Sequence, residues 1–100
     1  MDAAGKLPQL NLFLAGRWVD PVESDSFIDL NPATEEELAT VAAAGPADVD
    51  AAVAAARAQL DGGAWSRLSG GDRGRLLTRL AEALERDGDR LAALEALDVG

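Results

Sequence analysis

The chain has no cysteine and no histidine among its 100 residues. Without cysteine there is no disulfide framework, no thiolate metal site and no cysteine nucleophile. Without histidine the commonest general base and the commonest transition-metal ligand are missing as well. Aromatic residues make up only 4% of the sequence, and much of its 48% hydrophobic share is alanine, which buries little area. Basic residues are scarce too: 9 Lys+Arg against 18 Asp+Glu leave a net charge of −9. That sign repels phosphate backbones and anionic membrane surfaces, so neither nucleic acid nor membrane is an expected partner. No apolar run is long enough to span a bilayer, and Met1-Asp2-Ala3-Ala4-Gly5-Lys6 lacks the basic start and apolar stretch of a signal peptide. A cytoplasmic location is the expectation. A chain this short makes one domain at most, with a modest core.

What is present is organised around Phe27 to Val41, which reads as strand, turn, strand. Proline at position 32 holds Asn31 extended, so the chain enters the turn from a strand. Ala33-Thr34 carries the corner, and Leu38-Ala39-Thr40-Val41 leaves it extended. Upstream, residues 1–9 read as a disordered N-terminus. Leu10, Leu12 and Leu14 alternate onto one face of a strand, with Asn11 and Phe13 on the other. Ala15-Gly16 joins that strand to Arg17-Trp18-Val19 as a hairpin, and a type II-like turn with only Gly16 at positive φ is the easier geometry for Ala15.

Downstream the pattern is helical. Gly45-Pro46-Ala47-Asp48 opens a first helix, with proline and early acids suited to its positive end. Val49, Val53, Ala56 and Leu60 recur on one face, and Asp61-Gly62-Gly63 ends the run. Trp65 reads as an apolar anchor in the connector. Ser69 with Asp72 resembles a capping box for a second helix, whose Leu76, Leu77, Leu80 and Leu84 form a stripe expected to be buried. Asp87-Gly88-Asp89 breaks it, and a third helix begins near Arg90 with Leu91, Leu94 and Leu97 inward. Gly62-Gly63 and Gly70-Gly71 lack the spacing of a dinucleotide fingerprint and read as helix punctuation.

In order and spacing, these stretches resemble the aldehyde dehydrogenase superfamily. Leu12 to Val19 is similar to its opening hairpin, Phe27 to Val41 to its strand-turn-strand, and Asp48 to Arg57 to its first helix. Trp65, Arg73-Gly74-Arg75-Leu76-Leu77, Leu84-Glu85-Arg86 and Leu91 to Asp98 follow in register. The chain departs from the family at Ala15, where Asn is usual, and at Glu35, where Gly is usual and a positive φ would be strained for any other residue. The resemblance implies an α/β fold, of which residues 10–100 are a partial N-terminal segment of the cofactor-binding domain. It implies a parent enzyme that oxidises an aldehyde to an acid with NAD or NADP through a thiohemiacetal at a cysteine outside this chain. Such enzymes are homo-oligomers, dimers or tetramers. On this reading the chain is an N-terminal fragment and inert by itself. The alternative is a free-standing acidic helical module that binds a protein through its leucine stripes.

The resemblance also implies a monovalent cation site, K or Na, held by the backbone carbonyls of Asp29 and Leu30 and by Asp98. Taken without the resemblance, Asp98 reads as a solvated helix-end carboxylate. Glu95 and Asp98, at i,i+3, read as a solvated acidic face before an acid/base pair, and Glu35-Glu36-Glu37 as a solvated loop.

Overall fold

Residues 7–100 are described by the structure, a computed structural model. Two antiparallel strand pairs are followed by four helices. The first pair is β1 (Leu12–Leu14) and β2 (Arg17–Val19), in register Leu12 with Val19, Phe13 with Trp18 and Leu14 with Arg17. Phe13 and Trp18 are cross-strand neighbours, their ring centroids 5.1 Å apart and tilted by 60°. Such aromatic pairs stabilise a ladder beyond the area they bury. The turn between the strands differs from the type II-like expectation. Ala15 and Gly16 both take positive φ, 51° and 82°. This is the type I′ pattern, whose twist matches that of the flanking strands, and the fit to strand twist outweighs the local strain at Ala15.

The second pair is β3 (Ser26–Leu30) and β4 (Glu37–Ala42). Its register runs from Ser26 opposite Ala42 to Asp29 opposite Ala39, then jumps to Leu30 opposite Glu37. Leu38 is therefore the extra residue of a β-bulge. The bulge turns Leu38 inward, where it is 6% exposed beside fully buried Ala39. The free edge of β4 is covered by the chain ahead of β1. The Leu7 N–H donates to the Leu38 carbonyl (2.7 Å), the Leu10 N–H to Thr40 (2.9 Å), and Ala42 returns a bond to Leu10 (2.8 Å). The expected disordered N-terminus thus falls, for residues 1–6, outside the described residues, whereas Leu7 is already tied to β4.

The first helix, α1 (Pro46–Leu60), is followed by a single turn, α2 (Ala64–Arg67), which the sequence reading treated as a connector without a helix. Gln59 Oε1 accepts from the Trp65 N–H at 3.2 Å and holds that turn against the end of α1. Then come α3 (Gly70–Arg86) and α4 (Gly88–Val99), with Asp87 as both the last cap of one and the first of the other. The predicted N-cap of α3 is present, Ser69 Oγ accepting from the Asp72 N–H at 3.1 Å. Asp72 also pairs with Arg75 one turn on. Arg75 and the Ser69 hydrogen bond together hold the Asp72 carboxyl below the ordinary carboxylate range.

The helices do not bury the faces their periodicity marks. Leu76, Leu77, Leu80 and Leu84 of α3 are all exposed, and so are Val49, Val53 and Leu60 of α1. Trp65 is 42% exposed, a partial anchor at most. Among the described residues the buried apolar side chains are Leu38, Ala39 and Ala42 of β4 and Pro21 of the loop after β2. The burial that the periodicity predicts is thus not met within these residues, which supply nothing to cover the stripes.

Candidate functional site

Asp29 and Leu30 close β3, and Asp98 lies in the last turn of α4. The turn from Asn31 to Glu36 leads from β3 into β4. The Asn31 N–H donates to the Glu36 carbonyl (2.9 Å) and the Glu35 N–H to the Asn31 carbonyl (2.8 Å). Asn31 Oδ1 accepts from Ala33 N–H at 2.9 Å, so the side chain pins the corner that Pro32 begins. Glu35 adopts φ 62°, the left-handed conformation that the glycine-to-glutamate departure made doubtful. The reciprocal bonds of Asn31 hold the chain there against the cost of the side chain. The end of α4 rests on this turn. A methyl group placed on Gly100 would meet Pro32 Cγ at 3.0 Å and the Ala33 nitrogen at 3.1 Å.

That contact brings Asp98 to Asp29. The two carboxyls, with Glu95, line a cleft of about 350 Å³ whose other walls are Leu7, Leu10, Leu38, Leu94 and Leu97. Partial burial pushes the Asp29 carboxyl above the ordinary carboxylate range, and the charge of Asp98 and the hydrogen bond that protonated Asp29 donates to the Asp98 carboxylate push the same way. The Leu30 N–H opposes them by donating to Asp29. The Asp29 side chain thus lines the cleft, whereas the resemblance assigns a role to its backbone carbonyl alone. Glu95, read as part of a solvated face, is exposed but stands at the same cleft. Its i,i+3 spacing from Asp98 was the available signal. Leu30 is exposed and does not line this cleft.

The donors are hard oxygens, suited to a weakly held cation, and two facing carboxylates are a charge that such a cation would offset. Among the described residues no group of three or more acidic side chains converges in the manner of a divalent-metal site. The Glu35-Glu36-Glu37 run forms no such group either. The chain has no cysteine or histidine that could serve as nucleophile or imidazole base.

A second constellation was legible only in part. Asp48, in the first turn of α1, is 3% exposed and is the buried charged residue among those described. Its Oδ2 accepts from the Gly45 N–H at 2.9 Å and its Oδ1 from the Val22 N–H at 3.1 Å. One carboxylate thereby caps the helix and ties it to the loop after β2. The sequence marked only the helix-end role, because the partner at Val22 lies 26 positions away.

With this geometry in view, the relatives agree. The model of the aldehyde dehydrogenase family matches residues 18–100. The chain is 49% identical over 90 residues to a mitochondrial aldehyde dehydrogenase of Equus caballus, covering 89% of this chain and 18% of the relative. It is 46% identical over 89 residues to aldehyde dehydrogenase 1 of Tanacetum cinerariifolium, with the same two coverages. An aldehyde dehydrogenase from Bacillus cereus, solved as its NAD+ complex, superposes with a TM-score of 0.88 at 39% identity, covering 90% of this chain and 18% of that one. Strand pairs and helices in this order are those of an N-terminal α/β segment in these structures. The chain belongs to the aldehyde dehydrogenase family, and it spans about 18% of the length of the curated relatives it matches.

Proposed function

We propose that these residues serve as the N-terminal part of an NAD(P)-dependent aldehyde dehydrogenase, which oxidises an aldehyde to the carboxylic acid. The superposition of nine-tenths of the chain on the Bacillus cereus enzyme carries this reading. When bound, the dinucleotide accepts the hydride in such an enzyme. The residues described contribute no nucleophile and no acid/base group to the reaction. Their part is scaffolding of the cofactor-binding domain, and by themselves they are inert. A homo-oligomer, dimer or tetramer, and a cytoplasmic location go with the reading, although the horse relative is mitochondrial by name. Among the described residues no helix is long and apolar enough to cross a membrane.

The test is complementation. This chain is co-expressed with a homologous aldehyde dehydrogenase from which the matching segment has been removed. Recovery of aldehyde-dependent NADH formation, absent from either piece alone, is the expected result. Failure of the two pieces to associate, or turnover by the 100-residue chain unaided, overturns the reading.

The same reading assigns a monovalent cation, K or Na, to the carbonyls of Asp29 and Leu30 and the carboxylate of Asp98. The facing, mutually repelling acids support it. In the complemented protein, potassium or sodium chloride should raise the melting temperature above that in choline chloride at equal ionic strength, and Asp98→Asn should remove the difference. Equal melting in all three salts would exclude a bound cation.

A further inference from the structure

We draw no further inference here: the strongest candidate, the apolar cavity of about 470 Å³ between the Leu7–Leu10 segment and α4, lined by Leu7, Leu10, Ala93, Leu94 and Leu97 with Arg90 beside them, is an unpartnered apolar face, and nothing in the structure shows what covers it.

Discussion

Asp48 shows how much one side chain can hold in a molecule with so small a core. Both of its oxygens accept from backbone N–H groups of different segments, Gly45 and Val22. Removing a buried acceptor leaves its donors without partners, which costs about 1–3 kcal/mol for each unsatisfied group. Asp48→Ala should therefore release the loop after β2 from α1. Hydrogen exchange of the Val22 and Gly45 amides should speed up by an order of magnitude or more, whereas amides in the middle of α3 should be unaffected. Asp48→Asn keeps one carbonyl acceptor and should slow only one of the two amides back toward its original rate. Unchanged exchange at Val22 in Asp48→Ala would mean that the loop is held by something other than this carboxylate. Ala15 and Glu35 carry the opposite kind of message. Both sit at positive φ without being glycine. The hairpin register on one side and the paired Asn31 hydrogen bonds on the other over-determine the backbone.

At the scale of elements, α3 is the instructive one. Its caps and its leucine spacing are those of an amphipathic helix, yet its apolar stripe faces outward. Leu80 is 56% exposed. An aspartate there would thus meet water in the isolated chain and leave no buried charge unpaired. In the complemented enzyme the same stripe is expected to be covered, and the substitution would bury an unpaired charge. Leu80→Asp should then prevent the two pieces from associating on a size-exclusion column while leaving the helicity of the free chain unchanged by circular dichroism. Normal association of the variant would show that α3 does not face the remainder of the protein. Among these elements β4 is the exception. It is covered on one edge by β3 and on the other by Leu7 to Leu10, and alone among the strands and helices described it supplies buried apolar side chains.

For the molecule as a whole, shape decides what stability is available. The radius of gyration is 17.1 Å, with extents of 47 × 35 × 20 Å. A compact domain of this length would have a radius of about 13 Å. An extended body with four buried apolar residues among those described, two of them alanine, does not bury enough surface to offset the entropy of ordering its backbone. The isolated chain should unfold over a broad range without a calorimetric peak, and a single sharp transition should emerge only with the complementing polypeptide. A cooperative melt of the isolated chain as a monomer would contradict this account of its core.

Much of this was legible in the residues themselves. The strand-turn-strand around Asn31-Pro32, the Ser69 cap, the helix breaks at Gly62 and Asp87, and the apolar faces all follow from local backbone preferences and periodicity, which act over a few neighbouring positions. Family membership was legible too, because the ordered set of short stretches carries it where no single motif does. Tertiary structure alone decided what depends on distant partners. It turned Leu38 inward at a bulge, closed Asp48 onto Val22, brought Asp29 to Asp98 by resting α4 on the Pro32 corner, and left the leucine stripe of α3 in water. Burial and pairing are properties of what lies across from a residue, and amphipathic spacing records only which side awaits a neighbour.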